Sequence, residues 1–396
     1  MTAFANATLT ATGLAKLNQT PFYFQAQPSV VPGISDTHLS LALPIVIYWV
    51  TSLFYHLLDT LQLPITEKYR LHEPEEVTKR NRVGVTRVVV MVVVQQIIQT
   101  VLGLLLLDDD VVGLKQTFAD HPAKITSIAA FLRSTTDTLV GPSLQSSVTK
   151  LLFGSQDALS AAWWLYWWGI PTAQFWFAFF VMDAWQYMLH RLFHESRFLY
   201  RHFHSHHHRL YVPYAFGALY NHPVEGLLLD SGGAVISHAA SLMTLRQGIL
   251  LFTFSTLKTV ADHGGYAFPW YLDPLHLLFP NCAEYHDVHH QMTGLRYNYS
   301  QPFFVHFDVL FGTRISAEKF QKMKKLAEAK RAAEKQQAIS PANGNGTANG
   351  NGSGAAAEKQ QLKGKDASPA EIVAKTNDPF TTSDKQSYAA KAGSST

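Results

Sequence analysis

The segments HRLFH at 190–194, HSHHH at 204–208 and HDVHH at 286–290 form the chemical centre of this sequence. Of its 19 histidines, 14 lie between positions 190 and 290. Spacings of three and four residues place side chains on one face of a helix, so each segment can direct two or three imidazoles at one point. Imidazole is the commonest protein ligand for transition metals, and eight of them exceed the needs of one ion. We therefore predict a two-metal site whose outer segments supply His190, His194, His286, His289 and His290.

The middle segment allows two sets of ligands. His204, His207 and His208 repeat the spacing of the third segment, whereas His202, His206 and His207 form an overlapping alternative. On a helix, His202 and His206 lie on the face opposite to His204 and His208. The spacing therefore favours the set His204, His207 and His208.

Two isolated histidines lie between the second and third histidine segments, each close to a carboxylate residue and directly followed by proline or glycine. His222 occurs in the segment NHPVE at 221–225, and His263 occurs in DHGGY at 262–266. We predict both as additional metal ligands. Metal-bound histidines usually donate their second N–H to a carboxylate or carbonyl, and the carboxylates available for this are Asp183, Glu225, Asp262 and Asp287.

The metal is held by nitrogen and oxygen, because Cys282 is the single cysteine of the sequence and cannot build a thiolate site. All-nitrogen sites suit zinc, copper, iron or nickel. Structural zinc usually takes four ligands including cysteine, and catalytic zinc takes about three protein ligands. The number of clustered histidines favours two irons that activate oxygen, and two zinc ions remain the alternative.

The composition indicates a membrane protein. Hydrophobic residues make up 47% of the 396 residues and charged residues only 15%, below the roughly 25% of soluble proteins. The net charge of +3 gives no indication of a nucleic-acid partner. Apolar runs at 39–58, 88–107 and 158–182 are long enough to cross a bilayer as helices. Four tryptophans near the start of the third run fit an interfacial belt, and Pro171 is a candidate kink.

A fourth apolar stretch, 223–259, separates the second and third histidine segments and is broken by Asp230 and Arg246. It fits one long tilted span, a re-entrant pair or a hairpin. We favour a hairpin with its turn near 241–247, because segments that share one site must return to the same side of the membrane.

The orientation follows from the basic residues. The 59–87 loop is the richest in Lys and Arg, which places it in the cytosol. The third span then returns the chain to the cytosol, where the histidine segments follow. The amino terminus, with glycosylation sequons at Asn6 and Asn18, is then lumenal. The predicted fold class is all-α, a polytopic transmembrane helical bundle with a cytosolic histidine-rich di-metal cap.

The expected organisation has five parts. A lumenal segment (1–38) precedes a region with two spans (39–157), and the catalytic domain (158–315) follows. A surface helix (316–337) leads to a low-complexity tail (338–396), which lacks the apolar content to fold and whose sequons at Asn345 and Asn351 are expected to stay unmodified.

The order and spacing of the histidine segments resemble the fatty acid hydroxylase superfamily, as do the segments around His222 and His263. The segments LPITEKYRLHEPEEVTKRNRV at 63–83, DAWQY at 183–187 and RLYVPYAFGALYN at 209–221 resemble fungal sphingoid-base C4-hydroxylases. The resemblance spans roughly residues 40–315. It implies an integral di-iron monooxygenase of the endoplasmic reticulum with a cytosolic active site, acting on C4 of sphinganine or dihydroceramide. It also implies O2 as oxidant and electrons from NAD(P)H through cytochrome b5 and its reductase.

Two other functions fit parts of the sequence. A sterol desaturase or sterol C4-methyl oxidase of the same superfamily would use the same metal chemistry. A histidine-rich zinc-binding transporter would belong to a different class, but transporters carry ionisable residues within several spans and the first three apolar runs have none in their interior.

Overall fold

In the computed structural model of the chain, residues 19–106, 120–141, 143–153 and 158–339 are described, together with Ala15 and Leu17. This described part is helical and contains no β-strand, which confirms the all-α prediction. The sequons at Asn6 and Asn18 and the tail from 340 onward, with Asn345 and Asn351, lie outside the described residues.

The principal helices, numbered in chain order, are α1 (Asp36–Leu61), α2 (Pro74–Arg80), α3 (Val85–Leu106), α4 (His121–Val140), α5 (Gln145–Phe153), α6 (Ala158–Trp164), α7 (Ile170–Glu195), α8 (Gly232–Ala240), α9 (Leu245–Asp262), α10 (Ala283–His290), α11 (His306–Leu310) and α12 (Ala317–Ile339). Single α-helical turns lie at Pro64–Glu67, Arg197–Leu199, Pro223–Gly226 and Leu275–Leu278. Residues Leu165–Gly169, Tyr200–His204 and Leu227–Ser231 form π-helical turns, and His207–Arg209 and Ala215–Leu219 form 3-10 turns.

Helix α1 contains the first predicted span, and α3 contains the second as far as Leu106, since residue 107 lies outside the described residues. The Ser35 hydroxyl caps α1 by accepting a hydrogen bond from the His38 amide. Both helices are long and apolar enough to cross a membrane. In the most apolar 18-residue stretch of each, only 17% of the residues of α1 and 22% of those of α3 are buried. A soluble core helix would bury its apolar side chains, whereas α1 and α3 leave most of theirs partly or fully exposed.

The third apolar run is not one regular helix. Helix α6 ends at Trp164, a π-helical turn follows, and α7 restarts with Pro171 in its first turn. Proline is common in the first turn of a helix, because its fixed φ already suits the helix. Among the described helices, α1 and α3 are the two that are both long enough and apolar enough to cross a membrane. The helices of the third run do not combine that length with that apolar composition.

The predicted break in the fourth apolar stretch is confirmed. Helices α8 and α9 flank a short turn at 241–244, and Thr244 and Gln247 form a capping box at the start of α9. Gln174, near the start of α7, donates hydrogen bonds to the carbonyls of Ser241 and Leu242 at 3.1 and 2.8 Å. The turn therefore lies beside the start of α7, whereas His190 lies near the end of that helix. Both ends of the 223–259 stretch consequently lie on the side of the histidines.

Two apolar clusters position the histidine segments. The first packs α1 and α3 against the chain at 210–220, and the Tyr48 hydroxyl donates to the Phe216 carbonyl at 2.7 Å. The second packs Phe179 of α7 against Phe279 and Phe303, whose ring centroids lie 5.3 and 4.3 Å away. These contacts hold α7, the 204–221 segment and the third histidine segment around one point.

Candidate metal centre

Each histidine segment adopts a different local structure. His190 and His194 lie one turn apart on α7, and α10 carries the third segment. The middle segment is not the regular helix that its spacing suggested, because a π-helical turn ends at His204 and a 3-10 turn begins at His207. These changes of pitch separate neighbouring imidazoles and turn them toward two different points.

The first histidine group consists of His190, His194, His204, His208 and His289, whose ligand atoms all lie within 4.8 Å of one another. The Nε2 atom of His204 lies 3.2 Å from that of His190, 2.7 Å from that of His194 and 3.0 Å from that of His208. All three segments therefore contribute to this group.

The second histidine group consists of His207, His263, His286 and His290. The Nε2 atom of His286 lies 3.1 Å from that of His263 and 3.0 Å from that of His290. The two groups are adjacent, since the ring centroids of His208 and His290 are 4.9 Å apart. The structure thus divides nine of the ten predicted ligands between two neighbouring groups.

Backbone carbonyls fix the orientation of five imidazoles. The Nδ1 atom of each lies within hydrogen-bond distance of a carbonyl oxygen, and because a carbonyl only accepts, Nδ1 donates. The pairs are His190 with Tyr299, His263 with Thr259, His289 with Tyr297 and His290 with Leu210, each at 2.8 Å, and His207 with Tyr220 at 3.2 Å. Each ring then presents the lone pair of Nε2 to its group.

Those lone pairs indicate a cation. Nε2 of His190 and of His204 both carry lone pairs and lie 3.2 Å apart, so neither donates to the other. The Nε2 atom of His289 is buried and has no hydrogen-bond partner among the described residues. Metal–nitrogen distances of about 2.1 Å at right angles would separate ligand atoms by about 3.0 Å. The donor set and its spacing therefore fit a metal in each group.

Burial keeps the imidazoles neutral. Removal from water lowers the pKa of His204 to about 3. Burial, with repulsion from His204, lowers the pKa of His207 to about 4. The same desolvation lowers the pKa of His289 well below its ordinary value. A neutral imidazole is the form that binds a metal, so these histidines are ready to act as ligands near neutral pH.

Glu225 is the carboxylate that contacts the first histidine group. Its Oε1 atom accepts a hydrogen bond from Nδ1 of His204, and both side chains are almost completely buried. Its Oε2 atom has no hydrogen-bond partner among the described residues. A carboxylate in this position fixes the ring and increases the basicity of the nitrogen that faces the metal.

Replacing Glu225 with glutamine is expected to weaken metal binding about 10- to 100-fold, because the amide can still accept the hydrogen bond but removes the negative charge. Competition with a chelator measures this affinity. The exposed Glu284 on α10 provides a matched control, and Glu284→Gln should leave the affinity unchanged. Equal affinities of the Glu225→Gln variant and the wild type would show that the charge does not act on the metal.

Among the described residues, the other three predicted carboxylates form no hydrogen bond or ion pair with a predicted ligand, and this corrects the expectation for them. Asp183 accepts hydrogen bonds from the amides of Phe303 and Phe304 at 3.1 and 2.6 Å. Asp262 forms an ion pair with Lys258, and Asp287 pairs with His72 at 2.8 Å. They satisfy nearby backbone and cationic groups instead, while carbonyl oxygens orient the imidazoles. Sequence reasoning missed those carbonyls, because no residue type identifies a carbonyl that points at a ring.

His222 lies outside both groups, unlike the other nine predicted ligands. Its Nδ1 atom accepts a hydrogen bond from the Val224 amide at 3.2 Å, and it caps the helical turn that begins at Pro223. The alternative set in the middle segment is not assembled either. His202 is exposed and its Nδ1 donates to the Phe198 carbonyl at 2.8 Å, while His206 packs against the ring of His222.

A cavity of about 340 Å³ leads from the histidines between the apolar helices. His190, His204, His207, His263 and His286 line its inner end. Its walls come from α1, α3, α7, α8 and α9 and are mostly apolar, with Leu41, Ile45, Leu102, Val235 and Phe252 among the lining residues. Leu106 and Val235 belong to this lining and are 68% and 56% exposed, so the apolar end opens between α3 and α8.

Residues 175–313 match the family model described as fatty acid hydroxylase. Sphingolipid C4-hydroxylase sur2 of Schizosaccharomyces pombe is 42% identical over 74% of this chain and 94% of its own length. Sphinganine C4-monooxygenase 1 of Arabidopsis thaliana is 40% identical over 71% of this chain and 88% of its own. Very-long-chain aldehyde decarbonylase GL1-9 of Oryza sativa subsp. indica is 39% identical over 71% and 90%. No solved structure matches the chain.

The matched region contains all nine histidines of the two groups and the Glu225 carboxylate, and the similarity to whole relatives extends well beyond it. The similarity that the histidine segments suggested is thereby confirmed. The chain belongs to the fatty acid hydroxylase family.

Proposed function

We propose that this chain is a membrane di-iron monooxygenase that hydroxylates C4 of sphinganine, or of the sphinganine chain in dihydroceramide, to give phytosphingosine-type sphingolipids. The observation that carries the proposal is the pair of buried histidine groups at the inner end of an apolar cavity. Similarity to sphingolipid C4-hydroxylases over most of the chain supports the substrate class.

We propose the nine histidines of the two groups as the iron ligands and leave His222 out of the set. When bound, two irons would supply the activation of O2 that inserts one oxygen atom into an unactivated C–H bond. The chain's own residues hold the metals, and the carbonyl contacts and Glu225 keep the rings oriented toward them. The cavity excludes water and holds one carbon of a flexible chain against the metals.

The apolar cavity suits a lipid tail. Its mouth lies between α3 and α8, where apolar side chains remain exposed. A lipid chain could enter there directly from the bilayer, with its polar end toward the histidines. This arrangement places the carbons nearest the head group, rather than the end of the tail, beside the metals.

The exposed apolar surfaces of α1 and α3 support a membrane location, and we propose a multi-pass protein of the endoplasmic reticulum with the metal centre on the cytosolic side. The basic segment after α1 lies next to that centre. Asn81 exchanges hydrogen bonds with the backbone of Val212 at 2.9 Å, and the Arg82 amide donates to the Arg209 carbonyl at 2.9 Å. Basic loops favour the cytosolic side, so one orientation accounts for both features.

Reduction of the irons requires an electron donor. We propose NAD(P)H, with cytochrome b5 and its reductase as partners, on the basis of the family resemblance. Adding both proteins to the purified enzyme should stimulate turnover, and a rate independent of them would point to another donor.

The rice relative favours a second candidate function, aldehyde decarbonylation, because its identity to this chain is close to that of the hydroxylases. Mass spectrometry separates the two. Sphinganine should gain a hydroxyl at C4 while a very-long-chain aldehyde remains unchanged. Loss of the aldehyde carbon with no change in sphinganine would favour the decarbonylase, and an altered sterol would favour a sterol oxidase.

A further inference from the structure

The cavity has a polar patch beside the histidines, and the metal centre explains only its Glu225. Gln96 of α3, Asn221, Glu225 and Asp230 all line it, in a wall that is otherwise largely apolar. Glu225 contacts His204, so this patch adjoins the first histidine group. A ligand whose reacting carbon faces the metals must place neighbouring atoms against these side chains.

A π-helical turn, Leu227–Ser231, brings Asp230 into this wall. Such turns change the direction of side chains relative to a regular helix and occur often at functional sites. The turn is fixed by α7, because Trp185 and Gln186 donate to the carbonyls of Leu228 and Leu229 at 2.8 and 2.9 Å. Asp230 is thus held in place by a rigid neighbour.

Asp230 has no cationic partner among the described residues. Its one described hydrogen bond comes from Asn221 Nδ2 at 3.4 Å, which is long for an amide donor. A carboxylate in apolar surroundings is costly unless a cation or several donors satisfy it. The described residues supply neither, so Asp230 stays charged only when a cationic ligand pairs with it, and otherwise takes up a proton.

Two other side chains in the same wall carry buried polar atoms that have no partner among the described residues. Gln96 is 7% exposed, and its Nε2 has no acceptor among the described residues, although its Oε1 accepts from the Trp49 indole at 3.1 Å. Glu225 is 1% exposed, and its Oε2 is equally unsatisfied. The patch therefore offers an acceptor for a cation together with donor and acceptor atoms for hydroxyl groups.

Sphinganine carries this combination of groups. Its C2 bears an ammonium group, C1 and C3 bear hydroxyls, and C4 lies three bonds from the nitrogen, at most about 4 Å away. A C4 carbon beside the metals thus requires the ammonium close to them as well. In dihydroceramide the same nitrogen is an uncharged amide with a second chain attached.

We propose that Asp230 binds the C2 ammonium of a free sphingoid base and makes the enzyme prefer sphinganine over its N-acylated form. This inference rests on the proposed function. It attributes the preference for the free base over the N-acylated form to one side chain. Glu225 and Gln96 would contact the hydroxyls, and the tail would extend along the apolar walls toward the opening between α3 and α8.

The test compares Asp230→Asn with the wild type on two substrates, sphinganine and N-acetylsphinganine. The wild type should have the lower KM for sphinganine. The variant should lose affinity for sphinganine by about tenfold or more while its KM for N-acetylsphinganine changes little. Binding of radiolabelled sphinganine without O2, where no turnover occurs, should show the same loss. Asp137→Asn, at an exposed position of α4, is the matched control and should behave as the wild type.

Three results would overturn the inference: unchanged sphinganine binding in the variant, equal losses on both substrates, or a wild-type preference for the N-acylated form. Equal losses of affinity for both substrates would show that Asp230 stabilises the fold or the metal centre instead of binding the ammonium group. Failure of the proposed function would look different, because the metal-loaded wild type would then hydroxylate neither substrate.

Discussion

Replacing His204 or His286 with alanine is expected to reduce turnover of sphinganine to background while the protein still inserts into membranes. His204 contacts three other members of the first group through Nε2, and His286 contacts two members of the second. Loss of either ring opens a metal's coordination shell, so the variants should also retain less iron. Product formation and metal content, measured on the same purified samples, test both effects.

His202→Ala is the matched control, because this histidine belongs to the same segment as His204 but is exposed and outside both groups. It should retain wild-type turnover and iron content. His222→Ala tests the exclusion of His222 and should keep both irons. Unimpaired turnover in the His204 or His286 variant would contradict the assignment of that group.

Removal of metal by a chelator is expected to abolish activity and lower the thermal stability of the protein. The nine neutral imidazoles surround the centre from α7, the residue after α9, α10 and the 204–208 segment, so bound metal connects elements far apart in sequence. A ligand that binds only the folded state stabilises it. Ferrous iron should restore both properties, while zinc should restore stability without activity. Full activity in metal-free protein would contradict a metal-dependent reaction.

Nine of the ten histidines predicted from the sequence lie together in the two groups, and helical spacing explains this for the first and third segments. His263 could be included from its position after an apolar helix, although it has no partner within its own segment. His222 shared that kind of context but caps a helical turn instead. The difference between the two depends on the path of the chain and not on residue type.

Other features of the site depend on local geometry that residue patterns do not encode. The π-helical turns at Tyr200–His204 and Leu227–Ser231 interrupt sequences that otherwise suit a regular helix. They determine how the middle histidines divide between two groups and how Asp230 reaches the cavity. Asp183 and Asp287 looked suitable as partners of the ligands, but closer amides and His72 engage them.

The most direct test supplies the iron-loaded protein with sphinganine, an electron donor and O2 labelled with heavy oxygen, and analyses the product by mass spectrometry. We expect one labelled oxygen atom at C4, from protein that contains two irons per chain. A product without the label, or unchanged sphinganine from fully iron-loaded and reduced protein, would contradict a di-iron C4-monooxygenase.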